Sequence, residues 1–133
     1  MQLLMDYPGR VFLQEFVNVE LFVKTMAVTR FDIGLAPLFP TEFSKSRSSL
    51  RLLQYSALSI PTVLSDWGEY GKFVGDGFPA LVANDGDWGE VVQELIDDEE
   101  RRVQLGEKAY QHVVSRYEIR ENIFKWKEVY DKL

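Results

Sequence analysis

The sequence predicts an α/β fold in which a Rossmann-like parallel sheet is flanked by helices. Three short apolar segments, residues 31–39, 60–66 and 80–84, have the length and composition of buried strands. Segments with helical spacing lie between them, and parallel strands need such crossover connections. With 133 residues, 46% of them hydrophobic, the chain is long enough for a single domain, which we expect to span residues 1–133.

The N-terminal part is predicted to form a strand, a helix and a second strand. Residues 10–17 have the composition of a strand, and Asn18 then offers a helix cap. Apolar residues follow at the spacing of one buried helical face, at Val19, Phe22, Val23, Met26 and Ala27. Residues 31–39 are almost continuously apolar up to Pro40, so we expect a strand that is covered on both faces.

Two helices and two strands are predicted for the middle of the chain. The first helix carries an apolar stripe at Leu50, Leu53, Ala57 and Leu58. Residues 60–66, IPTVLSD, supply a short buried strand, and a short helix begins near Glu69. Residues 80–84, ALVAN, supply a further strand.

The last third is predicted to be a helical C-terminal tail. Residues 87–98 form an amphipathic helix whose inward face is expected at Val91, Val92, Leu95 and Ile96. Residues 99–117 are expected to form a second helix. A third helix is indicated by an apolar stripe at Ile119, Ile123, Trp126 and Tyr130.

Charge and composition exclude several classes of partner and chemistry. The 15 basic and 21 acidic residues give a formal net charge of -6, which disfavours nucleic acid and anionic membranes as partners. Cysteine is absent, which removes disulfides, thiolate metal sites and cysteine nucleophiles. No segment approaches the roughly 18 apolar residues of a membrane-spanning helix, and the N-terminus lacks a signal-peptide core. We therefore predict a cytoplasmic protein without a transmembrane segment.

A basic, serine-rich loop precedes the first helix of the middle region, where α/β folds place ligands. From Phe43 to Ser65 the sequence contains three basic residues, Lys45, Arg47 and Arg51, and no acidic residue. Ser48 or Ser49 could cap the helix, and Arg47 and Arg51 fall on one face near its start. Their guanidinium groups would bind phosphate bidentately. The alternative is that they are solvated cations that pair with the acidic remainder of the chain.

The next strand end places Ser65, Asp66, Glu69 and Tyr70 beside the same crevice if the sheet is parallel. The two carboxylates could accept hydrogen bonds from sugar or ribose hydroxyl groups. Ordinary turn and capping chemistry at the helix that begins near Glu69 is the alternative that the spacing favours.

The remaining polar residues predict no further site. His112, the single histidine, lies in a predicted helix without a ligand pattern, so we expect a surface or partly packed position. The eight carboxylates from Asp85 to Glu100 lack the spacing of a calcium loop and indicate a solvated face. Neither a dinucleotide-binding glycine motif nor a P-loop is present. We expect no metal and no cofactor, and we assign no catalytic residue.

Three segments in order are FDIGLAPL at residues 31–38, FSKSRSSLRLLQYSALSIPTVLSDWGEY at 43–70 and RVQLGEKAYQHVVSRYEIRENIFKWKEVY at 102–130. Together they resemble the C-terminal, donor-binding domain of the group 1 retaining glycosyltransferases of GT-B fold. The resemblance runs from Phe31 to Leu133 and, more weakly, from Gly9. It implies a partial nucleotide-sugar-binding domain that helps to transfer a sugar, with retention, from a nucleotide-diphosphate sugar to an acceptor.

The resemblance also implies roles for the residues of the basic loop. The donor phosphate and sugar would be bound by Ser46, Arg47, Ser48, Ser49 and Arg51. Gln54 takes the position of a family glutamate that binds the nucleotide ribose. Ser46 stands where many members carry a second glutamate, which touches the transferred sugar, and Ser59 replaces a glycine that is usual before the next strand.

Compared with that family, the chain lacks the acceptor-binding domain and the first strands of the donor domain. We therefore expect it to be incomplete and inactive alone, with a nucleotide sugar and an upstream chain or acceptor domain as partners. An exposed sheet edge could also pair two copies into a homo-oligomer. A catalytically inactive glycosyltransferase-like fragment that binds a partner is the alternative, and another phospholigand-binding α/β protein, such as a sugar-phosphate isomerase, is a third hypothesis.

Overall fold

A computed structural model describes residues 10–12, 15 and 17–132 of the chain. Its helices and strands alternate in the first two thirds and are followed by three consecutive helices. In chain order they are α1 (Val19–Thr29), β1 (Gly34–Ala36), α2 (Glu42–Lys45), α3 (Leu50–Ser56), β2 (Thr62–Ser65), α4 (Glu69–Gly75), β3 (Leu81–Ala83), α5 (Trp88–Asp97), α6 (Glu99–Tyr117) and α7 (Ile119–Tyr130).

The three strands form one parallel sheet in the order β1-β2-β3. Gly34 lies opposite Thr62 in the first pair, and Val63 lies opposite Leu81 in the second. All connections between the strands run through helices, as parallel pairing requires. The predicted Rossmann-like α/β fold with flanking helices is therefore confirmed.

The core lies on both faces of the central strand. All four residues of β2 are buried, which confirms the buried strand predicted for residues 60–66, although the strand is shorter. Leu64 packs on one face with Leu52 of α3, Tyr70 of α4 and Ala109 of α6. Neighbouring side chains of a strand point to opposite faces, so Val63 packs on the other side, in a cluster with Ala83 and Leu95.

Within the described residues, the edge strand β1 is covered on one face only. Gly34 and Ala36 are buried, whereas the side chain of Leu35 is 46% exposed. The prediction of a strand covered on both faces is therefore wrong at this residue. Leu35 lies beside Val63, on the face covered by α5, but α5 packs against β3, at the opposite edge of the sheet.

The N-terminal part follows the predictions incompletely. Residues 13, 14 and 16 of the strand predicted for 10–17 lie outside the described residues, and the described ones form no strand. The helix cap is confirmed, because the Asn18 carboxamide oxygen accepts a hydrogen bond from the Leu21 N–H at 2.8 Å. The buried helical face is largely wrong, since Met26 is the buried residue of α1 and Val19, Val23 and Ala27 are exposed.

The predicted stripe of α3 is confirmed in part, because Leu53 packs against the core and Leu58 is partly buried, but the fully buried side of the helix is a different one. Leu52 is fully buried, together with Ser56, whereas Leu50 is 56% exposed. The reason is that α3 packs against both the sheet and α6, which places Leu52 between Leu64 and Ala109. Ala57 follows the last helical residue as its cap and is exposed.

The three helices of the tail are confirmed, but their inward faces are smaller than predicted. In α5, Leu95 is buried and Val91 and Val92 are partly buried, whereas Ile96 is exposed, contrary to prediction. The Arg102 guanidinium of α6 donates to the Leu95 carbonyl at 2.7 Å, which joins the end of α5 to α6. No residue of α7 is buried, so its apolar stripe faces solvent in the part of the chain that is described.

Across residues 10–12, 15 and 17–132, every helix is too short or too polar to cross a membrane.

Candidate functional site

A cavity of about 690 Å³ opens at the carboxyl end of β1. Its wall is built from α1, from β1 and the residues after it, from α3 with the loop before it, and from α4. The lining residues are Glu15, Val17, Val19, Phe22, Leu35, Ala36, Pro37, Leu38, Arg47, Ser48, Leu50, Arg51, Gln54 and Tyr70. The carboxyl ends of parallel strands are where open α/β sheets bind ligands.

The loop after β1 is held in place by local hydrogen bonds. The Ser44 N–H donates to the Thr41 hydroxyl at 3.1 Å, and the Thr41 N–H donates to the Ser44 hydroxyl at 3.2 Å, so α2 begins with a capping box. The Ser44 hydroxyl also donates to the Phe39 carbonyl. These bonds bury a serine in a loop of otherwise exposed residues and fix the chain path toward Arg47.

The loops after β1 and β2 are joined to each other beside the cavity. The Leu38 N–H donates to the Ser65 hydroxyl, at the end of β2, at 2.9 Å. Gly68, in the loop after β2, has a φ of 59°, and a Cβ atom there would lie 3.0 Å from the Lys45 carbonyl oxygen. Glycine is therefore needed at this position both for its left-handed backbone and for the close approach of the two loops.

Arg47 and Arg51 both line the cavity, but they do not share a helical face as predicted, because Arg51 belongs to α3 and Arg47 lies in the loop before it. Both residues are exposed, and neither forms an ion pair with a carboxylate among the described residues. These two arginines are therefore solvated, as the alternative expected, but they are not paired with a described carboxylate, whereas Lys45 of the same loop lies 3.9 Å from the Glu42 carboxylate. Two guanidinium groups without a carboxylate partner are suited to bind a phosphate.

Two aromatic rings lie next to the Arg51 guanidinium. Its central carbon is 5.2 Å from the centre of the Phe22 ring and 5.8 Å from the centre of the Tyr55 ring. The Tyr55 ring in turn packs against Gly34, where a Cβ atom would lie 2.6 Å from a ring carbon. These cation–π contacts restrict the position of the Arg51 guanidinium, which the long arginine side chain would otherwise leave free to move.

Sequence reasoning did not identify Phe22 and Tyr55 as site residues. Tyr55 follows Arg51 by four residues, and that helical spacing was a usable signal. Phe22 lies on a different helix, and nothing local in the sequence connects it with Arg51.

The serines and the glutamine of the loop are divided between the cavity and its surroundings. Ser48 and Gln54 line the cavity. Ser46 is exposed at the end of α2 and does not line it, and Ser49 is buried at the start of α3. The Ser49 side chain makes no capping hydrogen bond, so the expected serine cap of α3 is not found at this residue.

Among the residues predicted after β2, Tyr70 lines the cavity and Asp66 and Glu69 do not. Glu69 is the first residue of α4 and forms an ion pair with Lys72, one turn later. Asp66 is exposed and lies against Gly71, where a Cβ atom would be 2.6 Å from its carboxylate oxygen. Both carboxylates therefore fit the turn and helix-start chemistry that the spacing favoured.

Tyr70 is 5% exposed, and it lines the same cavity as both arginines. Burial raises its pKa above the ordinary tyrosine value, and the charges of Arg51 and Arg47 lower it in part. No group in the described ranges forms a hydrogen bond with this hydroxyl. The cavity therefore contains a neutral hydroxyl group beside two cations.

The remaining polar residues behave as surface or packing groups. His112 is partly buried, with its ring centre 4.6 Å from that of Phe78, which confirms the expected partly packed position. The carboxylates from Asp85 to Glu100 are mostly exposed, which confirms the solvated face. Within the described ranges, no three histidine or carboxylate side chains come together as a metal site would require.

A second cavity of about 480 Å³ lies at the opposite end of the sheet, before β1 and β2. Its charged lining residues have both signs and include Arg30, Asp32, Glu99, Arg102 and Glu107. None of the residues predicted to bind a donor lines it. Of the two cavities beside the sheet, only the one at the carboxyl end of β1 therefore agrees with the sequence predictions.

A family model described as "Glycosyl transferase-like" matches residues 6–128, which is nearly the whole chain. No curated protein and no solved structure shows significant similarity to it.

Proposed function

The chain belongs to the glycosyl transferase-like family, and we propose that it is the donor-binding portion of a nucleotide-sugar-dependent glycosyltransferase. The donor is a nucleotide-diphosphate sugar, and the chain forms one partial donor-binding domain over residues 1–133. Membership of this family supports glycosyl transfer, and we propose that the sugar is transferred with retention.

The cavity at the carboxyl end of β1 carries this proposal. Arg47 and Arg51 line it, and neither is paired with a described carboxylate. A diphosphate supplies the oxygen atoms that two guanidinium groups can bind. The apolar wall, which includes Phe22 and Leu50, offers a surface for the less polar part of a nucleotide.

The two cations explain how the site would contribute to chemistry. In glycosyl transfer from such a donor, the bond between the anomeric carbon of the sugar and the diphosphate oxygen breaks, and its electron pair stays on the diphosphate. Positive charges already in place at the leaving group stabilise the negative charge that develops on it. Arg47 and Arg51 have this role in the proposal, and Gln54 accepts a hydrogen bond from a ribose hydroxyl through its carbonyl oxygen.

Isothermal titration calorimetry with UDP-, GDP- and ADP-glucose tests the proposal. We expect at least one of these donors to bind at submillimolar concentration. Arg47→Gln should weaken that binding by about tenfold or more, because a hydrogen bond to a charged group is worth roughly 1.5–3 kcal/mol. The change removes one positive charge but keeps a side chain of similar length.

Arg120→Gln is the matched control, because Arg120 is an exposed arginine of α7 that does not line the cavity. It lowers the net charge by the same amount and should leave donor affinity unchanged. If no donor binds at millimolar concentration, or if the two substitutions weaken binding equally, the proposal is wrong.

The exposed apolar surface favours a second candidate function, in which an inactive glycosyltransferase-like domain binds a partner chain. Trp126 is 65% exposed and lies with Ile119, Ile123 and Tyr130 along one groove of α7. Contiguous apolar surface of this kind is typical of protein interfaces. No described strand pairs with the outer edge of β1, which is a second place where another chain, or a second copy of this one, could add.

Analytical ultracentrifugation across a concentration series distinguishes the two candidates. Self-association that Trp126→Gln abolishes, without any donor binding, would favour the interaction domain. A strict monomer that binds a nucleotide sugar would favour the donor-binding domain.

A further inference from the structure

Tyr70 combines a ring that is buried in the core with a hydroxyl group that opens into the cavity and has no partner among the described residues. It is the second residue of α4, and its ring packs in the core cluster with Ala36, Leu52 and Leu64. The residue is 5% exposed, yet it lines the cavity at the carboxyl end of β1. A phenylalanine would fill the same core space, so packing does not account for the hydroxyl group.

The hydroxyl group is available to a ligand. No described residue accepts a hydrogen bond from it or donates one to it. The buried polar side-chain atoms that lack a partner among the described residues are Ser56 Oγ and Trp67 Nε1, so the Tyr70 hydroxyl is not sealed in the core but opens into the cavity. It can donate its proton to an acceptor that enters the cavity, whereas a cation offers no acceptor.

The surroundings of the hydroxyl define the chemistry of that acceptor. Arg51 and Arg47 are the charged groups that act on it, and a guanidinium group can only donate hydrogen bonds. Burial keeps Tyr70 protonated, because it raises the pKa above the ordinary tyrosine value. All three groups therefore offer protons to the same space, and the ligand that fits them is rich in oxygen acceptors and negatively charged.

We propose that the Tyr70 hydroxyl is a third phosphate-binding group of this cavity, donating a hydrogen bond to an oxygen of a diphosphate that Arg47 and Arg51 also bind. This role rests on the proposed function, since it assigns Tyr70 to the donor diphosphate. It brings α4 into the site together with α3. The loop after β1 and the helix after β2 then bind the same ligand from two sides.

Tyr70→Phe removes the hydroxyl oxygen and nothing else. Inorganic pyrophosphate is the first probe, because it carries the diphosphate without a base or a sugar, and UDP is the second. We expect Tyr70→Phe to weaken the binding of both by about tenfold, as expected for one hydrogen bond to a charged ligand. The melting temperature of the ligand-free protein should not fall, because no described group loses a hydrogen bond.

Tyr110→Phe is the matched control, because Tyr110 is a partly buried tyrosine of α6 that does not line the cavity. It should leave both affinities unchanged. If the wild type binds pyrophosphate or UDP, Arg47→Gln weakens that binding and Tyr70→Phe does not, only the role of Tyr70 is overturned. If the wild type binds neither probe nor any donor sugar, the proposed function is overturned as well. A lower melting temperature for ligand-free Tyr70→Phe would assign the hydroxyl to the fold and also overturn its role.

Discussion

The Arg51 guanidinium carbon lies 5.2 Å from the centre of the Phe22 ring, so a residue of α1 holds a cation that belongs to α3. Such contacts are worth roughly 0.5–1 kcal/mol at exposed sites. We expect Phe22→Leu, which keeps an apolar side chain but removes the ring, to weaken pyrophosphate binding by about two- to fivefold. Isothermal titration calorimetry measures the change.

Phe124→Leu provides the control for that substitution. The Lys125 ammonium nitrogen lies 5.9 Å from the Phe124 ring centre, so this change removes a cation–π contact on α7, outside the cavity. Affinity should not change. An equal loss of affinity in both variants would mean that the position of the Arg51 charge does not matter for binding.

The two leucines of α3 should differ strongly in their effect on folding. Leu52 is fully buried between the sheet and α6, whereas Leu50 is 56% exposed. We expect Leu52→Ala to lower the free energy of unfolding by about 2–5 kcal/mol, through lost burial and the cavity left behind. Leu50→Ala should change it by about 0.5 kcal/mol or less. Urea denaturation compares them, and similar losses would contradict the observed face of α3.

The substitutions Gly106→Ala and Gly89→Ala should change the free energy of unfolding in opposite directions. Alanine normally stabilises a helix by about 1 kcal/mol relative to glycine. In α6, however, a Cβ atom at Gly106 would lie 2.1 Å from the Ser59 carbonyl oxygen, which is backbone and cannot turn away. We expect Gly106→Ala to lower the free energy of unfolding by about 1–3 kcal/mol, a typical cost of overpacking.

Gly89→Ala, in α5, has no atom within 4 Å of the new Cβ and should raise the free energy of unfolding. Thermal or urea denaturation of the two variants gives the signs directly. Stabilisation of both would show that α6 can move away from the start of β2 at little cost.

The single histidine should make stability depend on pH. Burial beside Phe78, followed by the nearby charge of Arg116, lowers the pKa of His112. The unfolded chain, in which this pKa is about 6.5, therefore binds a proton more readily than the folded chain. The free energy of unfolding should fall as pH drops through this value. His112→Gln should remove that part of the dependence, and identical pH profiles for both proteins would contradict it.

The sequence predicted most of the helices and strands because their signals are local. The continuous apolar run at residues 60–66 needs both faces covered, and β2 is buried at every residue. The boundaries of α6 agree because Asp98 caps its start, accepting a hydrogen bond from the Arg101 N–H at 2.8 Å. Capping residues and apolar runs predict a helix or a strand regardless of which other elements pack against it.

The inward faces of helices were harder to predict, because a face is defined by what packs on it. Leu52 and Leu53 are equally apolar in the sequence, yet the packing of α3 against the sheet and α6 buries the first fully and the second only in part. Leu35 belongs to an apolar run, yet no helix in the described part of the chain covers it. The same limit applies to the site, where Phe22 approaches Arg51 from another helix.

The contact between Gly106 and Ser59 joins two segments through backbone atoms alone. Ser59 itself has a φ of 56°, a left-handed backbone conformation that residues other than glycine rarely adopt. Since no side chain lies between the two backbones, repacking the neighbouring core cannot adjust their spacing. In chimeras with other chains of this family, α6 and the turn before β2 should therefore be taken from the same parent chain. A chimera that combines them from different parents would lose the close backbone contact between Gly106 and Ser59.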